Sequence, residues 1–187
     1  MGMAVSQKAT HIALLRAVNL GGLKPVAMAD LRKLGAKLGF ADVGSVLQSG
    51  NLVFRSPWKS CERIERMLEE GAERNIGLKT EFFVRNAEEW HDLIRNNPFR
   101  REAEHEPALL VAMLLKDEAD ASDVKKLQAA IVGRELVRAK GRVAYITFPD
   151  GQGRSKLTRA IIEKALGTRT TGRNWNTVLR LGAMVGL

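Results

Sequence analysis

Apolar positions in residues 10–18 run almost without interruption, the pattern of a strand buried on both faces. Leu31, Leu34 and Leu38 then recur at helical spacing, and Gly39 can close that helix through a left-handed cap. Residues 43–47 and 52–55 are β-type runs flanking Ser49-Gly50-Asn51, a hairpin signal because Gly and Asn tolerate positive φ. Ile64, Met67, Leu68 and Ala72 define a second amphipathic helix, with Ser60 as its N-cap, and residues 79–85 form the next strand. The order is β-α-β-β-α-β, the ferredoxin-like unit. A short helix around Trp90, Leu93 and Ile94 must stop before Pro98.

The pattern then starts again. Residues 108–115 are an apolar strand. Val124, Leu127 and Ile131 mark a helix, and residues 135–140 and 142–148 pair as strands about Gly141. Leu157, Ile161, Ala165 and Leu166 mark another helix. After Gly167 the expected last strand is weak or missing, and a C-terminal helix takes over at about Asn174, with Trp175, Val178, Leu179 and Met184 on one stripe. The pattern therefore predicts an α+β chain of two consecutive ferredoxin-like (βαββα-type) halves, the second followed by a C-terminal helix. Residues 1–96 form the first half. Residues 97–107, charged, proline-bracketed and aperiodic, form a connector, and residues 108–187 form the second, incomplete half.

Composition narrows the setting. The 187 residues suffice to bury a sizeable core, and 45% hydrophobic with 27% charged residues is ordinary for a globular protein. One cysteine, Cys61, excludes an intramolecular disulfide framework and points to a reducing, cytoplasmic compartment. No apolar run is long enough to span a bilayer, so no membrane partner is expected. Gly2 and Ser6 fit the loose N-myristoylation pattern, which is common by chance. The net charge of +9 is unevenly placed. Residues 1–60 carry eight basic and two acidic side chains, residues 61–120 nine and fifteen, and residues 121–187 thirteen and four. Basic ends brought together by folding would attract phosphates, and an acidic middle laid over them would cancel that attraction.

Four stretches could carry chemistry. In the first, Arg16 sits in a strand that reads as buried, where a guanidinium needs an anionic or carbonyl partner; Asn19, Gly21, Gly22 and Lys24 follow in a loop whose glycines can turn N–H groups toward an anion. In the second, Gln48, Ser49 and Asn51 surround the hairpin glycine. In the third, Arg154, Ser155 and Lys156 form a strand-to-helix turn, with Ser155 able to cap the helix; the glycine spacing is that of neither a P-loop nor a dinucleotide fingerprint. In the fourth, Asn174 is a natural N-cap, and Arg173 beside it opposes the helix dipole unless an anion or carboxylate is near. Each stretch also reads as caps, turns and structural ion pairs.

Other signals carry less. His11, His91 and His105 lack metal-ligand spacing, and Glu104-His105-Glu106 reads as a flexible loop, so no metal or cofactor is expected. Cys61 near a helix start could be an activated thiol, although a packed one is commoner. The first strand has no aromatics for stacking on RNA, and Phe54 stands alone on the third. No residue pattern assigns a catalytic role.

Leu15-Arg-Ala-Val-Asn-Leu-Gly-Gly, Leu47-Gln-Ser-Gly-Asn-Leu-Val-Phe54, Asn97-Pro-Phe99, Gly153-Arg-Ser-Lys-Leu157 and Thr171-Gly-Arg-Asn-Trp-Asn-Thr177 together resemble an uncharacterised bacterial family, domain of unknown function 1697. Ala17 stands where that family's first motif has glycine. The resemblance implies a bacterial cytosolic protein with ferredoxin-like halves and brings no established activity. The leading functional expectation is binding of a small phosphate- or carboxylate-bearing ligand in a basic cleft between the halves. The alternatives are nucleic-acid binding through the basic terminal thirds, with phosphate contacts dominating, and a structural or protein-interaction module.

Overall fold

The computed structural model describes residues 9–16, 26–46 and 50–186. The chain divides into two compact units, Met1–His91 with Leu181–Leu187, and Asp92–Arg180.

In the first unit, β1 (Ala9–Leu15), β2 (Ala41–Val46), β3 (Asn51–Ser56) and β4 (Phe82–Asn86) make an antiparallel sheet in the order β2-β3-β1-β4. Helices α1 (Met28–Lys37) and α2 (Cys61–Ile76) bury Leu31, Leu34, Ile64 and Leu68 in one core with Ala13, Leu52, Phe54 and Val84 of the sheet. The sequence dictates these helix ends. Ser60 Oγ accepts from Arg63 N at the start of α2, and Gly77 closes it at φ 64°. Ile12, Leu14, Val53 and Phe83, which alternate with the core residues, are buried as well, so both faces of the sheet are covered and the uninterrupted apolar run of β1 is explained. Helix α3 (Ala87–Arg95) follows β4 directly.

The second unit repeats this topology. Strands β5 (Leu110–Leu115), β6 (Leu136–Lys140), β7 (Val143–Thr147) and β8 (Thr170–Asn174) pair in the order β6-β7-β5-β8, with α5 (Ala121–Ala130) and α6 (Arg159–Leu166) over one face. Helix α7 (Trp175–Met184) follows β8 as α3 follows β4. Both sheets thus have the ferredoxin-like order.

The structure corrects four expectations. The last strand of the second half is present: Thr170 and Thr171 are fully paired with β5, their polar side chains having masked a buried β-branched pair. The connector contains helix α4 (Arg100–His105), begun by the Ala103 N–H bond to Phe99 O, so Glu104 and His105 are helical. In α6 the buried stripe is Ile162 and Leu166, and Ile161 faces out. In α7 it is Trp175, Val178 and Leu181, with Leu179 and Met184 exposed. Leu166, Trp175 and Val178 are buried as the spacing predicts, so the difference is confined to Ile161, Leu179 and Met184. No helix among the described residues is long and apolar enough to cross a membrane.

Candidate functional site

The last strand of each unit lies at the edge of its own sheet, and the two strands hold matching positions against their central strands. Ile12 faces Arg85 and His11 faces Asn86 in the first unit, as Ala112 faces Arg173 and Val111 faces Asn174 in the second. Each unit therefore ends its sheet on an Arg-Asn pair that leads straight into a helix. The side chains behave alike: Arg85 Nη1 donates to Val84 O at 2.8 Å, and Arg173 Nη1 donates to Gly172 O at 2.8 Å. The repeat is invisible to a search for similar segments, because only these two residues are shared.

An edge strand presents every second N–H outward, and burying such a group without an acceptor is costly. In β4 three carboxylates take up these groups. Glu69 Oε1 accepts from Phe82 N at 2.9 Å, Glu65 Oε1 from Val84 N at 2.8 Å, and Glu89 Oε2 from Asn86 N at 3.0 Å. Glu65 Oε1 also lies 4.0 Å from Arg85 Nη1, and the two side chains are 9% and 3% exposed. Glu89 N donates in return to Asn86 Oδ1 at 2.8 Å, a reciprocal cap that starts α3. In β8 the first position matches: Glu163 Oε1 accepts from Thr170 N at 2.9 Å. The next positions differ. Gly172 stands where Val84 does, and residues 172–174 are partly exposed where Val84 and Arg85 are buried. Burial still acts on the Arg173 guanidinium, which it pulls down to about 10.

The residues expected from sequence divide three ways. Asn19, Gly21, Gly22, Lys24, Gln48 and Ser49 lie outside the described residues. Arg16, Asn51, Ser155 and Asn174 hold structural partners. Arg16 Nη1 pairs with Glu81 Oε2 at 2.5 Å, across the bond from Arg16 N to Glu81 O that extends the β1–β4 ladder. Asn51 Nδ2 donates to Val46 O at 3.0 Å, bridging the ends of the β2–β3 hairpin. Asn174 Nδ2 donates to Ala108 O at 2.7 Å, while its Oδ1 accepts from Asn176 N at the start of α7. Ser155 does not cap a helix. A 3₁₀ turn spans Gln152–Arg154, Ser155 Oγ donates to the buried Glu135 carboxylate, and α6 begins later with Thr158 Oγ accepting from Ile161 N. The carboxylate next to Ser155 opposes an anion at that spot, although Arg154 and Lys156 are exposed. The third group is Arg173, an edge-strand cation that donates from Nη1 to Gly172 O and to Thr171 Oγ1.

A separate buried polar group lies under α3. Burial drives the His11 ring below its ordinary value, and its Nδ1 lies 3.0 Å from Ala9 O. Cys61 Sγ donates to Glu89 Oε2 at 3.3 Å. Burial, then the Glu89 charge, pushes the Cys61 thiol up to about 12, the opposite of an activated cysteine. Native protein at pH 8 is therefore expected to resist alkylation by iodoacetamide at Cys61 and to label fully in denaturant. Equal rates in the two states would disprove the inert assignment. Elsewhere, an open cavity of about 460 Å³ at the end of α6 is lined by Asp117, Glu163, Lys164, Gly167, Thr168 and Arg169. Its acids are engaged, Asp117 Oδ2 with the Thr168 hydroxyl and Glu163 with Thr170 N.

Two tandem ferredoxin-like units, each closed by an Arg-Asn strand end, define the class of protein. A family model described as "Protein of unknown function (DUF1697)" matches residues 9–145, and the chain belongs to that family. Among solved structures it is similar to the conserved bacterial protein SP0830 from Streptococcus pneumoniae, at 21% identity and a TM-score of 0.70, over 95% of this chain and 98% of that one. The likeness extends the fold over 95% of this chain, beyond the residues the family model matches. A search of curated proteins returned no match.

Proposed function

We propose that this protein binds a small phosphate- or carboxylate-bearing ligand, with Arg173 as the principal donor of the second unit. In the first unit Arg16 and the polar and glycine-flanked positions Asn19, Gly21, Gly22, Lys24, Gln48 and Ser49 are the candidates. The observation that carries the reading is the desolvated guanidinium of Arg173 at a partly exposed strand edge. A folded value near 10, below the ordinary guanidinium range, means that the charged form costs stability at neutral pH, and the cost is relieved only above about pH 10. An anion bound beside Arg173 would offset that cost.

Two measurements test this. Arg173→Met should leave the unliganded protein at least as stable as wild type, with a gain of about 1 kcal/mol, because an apolar side chain of similar length removes the desolvation cost. A thermal-shift screen of nucleotides, phosphosugars and acidic metabolites should yield an anion that stabilises wild type. At a hundredfold over its Kd the gain is about 2.7 kcal/mol, and Arg173→Met should abolish it. A screen with no stabilising anion, or hits that persist in Arg173→Met, would overturn the reading.

A further inference from the structure

The chain contains one Asp-Gly step, Asp150-Gly151, and no Asn-Gly step. In an open chain an Asp-Gly step is reactive, because glycine brings no side chain to shield its amide nitrogen from the aspartate carboxyl. Here the step lies in the turn that leaves β7. Phe148, Pro149, Asp150 and Gly151 have the sequence of a type I turn, with proline second and glycine last. Gly151 N donates to Phe148 O at 2.8 Å, and Phe148 N donates to Leu109 O at 2.7 Å. Pro149 and Asp150 are exposed, and the space beside the Gly151 Cα is open.

Both reacting groups are held in the folded protein. The Gly151 N–H is engaged by Phe148 O. The Asp150 carboxylate is forked by Arg134, whose Nε donates to Oδ2 at 3.0 Å and whose Nη2 donates to Oδ1. Arg134 stands between α5 and β6, so the clamp joins two loops of the second unit. The guanidinium keeps the Asp150 carboxyl below the ordinary carboxylate range. The ionised form is the slow one in ring closure, because an oxide ion is a poor leaving group. The clamp stands in water, its side chains 68% and 55% exposed, so it opens more readily than a buried pair.

We propose that Asp150 is a site of spontaneous isoaspartate formation and that Arg134 gates it. Water is the only reagent required. With the clamp and the turn open, Gly151 N bonds to Asp150 Cγ, and the amide proton leaves with the carboxyl OH as water, giving a cyclic imide. Water then adds back to the imide. Opening at Cγ restores aspartate. Opening at the Asp150 main-chain carbonyl breaks its bond to Gly151 N, so the chain runs through Cβ and Cγ and a free α-carboxylate remains. The mass is unchanged and the main chain gains one atom. That atom enters just before the 3₁₀ turn Gln152–Arg154 and Ser155, whose hydroxyl donates to the Glu135 carboxylate. An isoaspartyl-specific methyltransferase is the class of enzyme that would act on the product.

The test follows isoaspartate at residue 150 during incubation of the folded protein at neutral pH. It is read by peptide mapping with radical fragmentation and by methylation with an isoaspartyl-specific methyltransferase. Wild type in denaturing urea is the open-chain reference and should react fastest. Folded Arg134→Gln should react about two- to fivefold faster than folded wild type, the scale on which losing an exposed ion pair raises local opening. Arg134→Lys keeps the charge but not the fork; it should also exceed wild type, and it supplies the comparison if Arg134→Gln does not fold. Lys126→Gln removes a different exposed ion pair of the same unit, with Asp123, and should match wild type. Three results would overturn the proposal: folded wild type reacting as fast as the denatured chain, Arg134 variants no faster than wild type, or equal acceleration in Lys126→Gln.

Discussion

Replacing Glu65 with alanine is expected to destabilise the first unit by about 3–5 kcal/mol, the usual consequence of removing one partner of a buried ion pair. The loss has two parts that separate variants can apportion. Glu65 Oε1 is the acceptor for Val84 N at 2.8 Å, and it lies 4.0 Å from Arg85 Nη1, whose side chain is only 3% exposed. Glu65→Gln keeps a carbonyl oxygen for the Val84 N–H and removes the charge facing Arg85, so its cost reports the ionic part. Glu69→Ala removes the acceptor of Phe82 N and should cost about 1–2 kcal/mol. Urea denaturation at pH 7, read by tryptophan fluorescence, gives all three values. A Glu65→Ala cost no larger than that of Glu69→Ala would mean that the Arg85 charge is stabilised chiefly by contacts other than Glu65.

These carboxylates also show where sequence reasoning reaches and where it stops. The period of apolar residues located the elements of both units, because β1 and β5 are buried on both faces and α1 and α2 carry clean stripes. Ser60 and Gly77 end α2 through local geometry, which a one-dimensional reading captures. Strand β8 was obscured because Thr170 and Thr171 are polar by composition yet fully buried in the pairing with β5. The pairing of α2 carboxylates with an edge strand was not legible either. It links residues 13 and 19 positions apart, Glu69 with Phe82 and Glu65 with Val84, through an N–H that every residue type carries. Arg173 was visible as a cation placed against a helix dipole. Its desolvation depends on the strand that forms there, and its likeness to Arg85 appears only once the two strand pairings are compared. The Arg-Asn repeat did have a sequence signal, two Arg-Asn pairs each preceding a tryptophan-bearing helix, but one dipeptide in common is too little to mark a duplication without the topology.

Gly172 carries the second large effect, because its side of the strand is already filled. A Cβ there would lie 2.6 Å from Met113 Sδ and 3.2 Å from Val111 Cγ1, so Met113 occupies the space that a side chain would need. The first unit solves the same packing problem the other way round. Ala13 faces Val84 in register, where Met113 faces Gly172, so a small residue on the central strand accompanies a large one at the edge. Gly172→Val should therefore overpack the second core and cost about 1–3 kcal/mol. Met113→Ala should leave a cavity and cost about 2–5 kcal/mol. Combining them transplants the Ala-Val pairing of the first unit, and the double variant should recover most of both losses. Independent sites would instead give a summed destabilisation. Urea denaturation of the four proteins measures the coupling directly, and additive losses would sink the packing account.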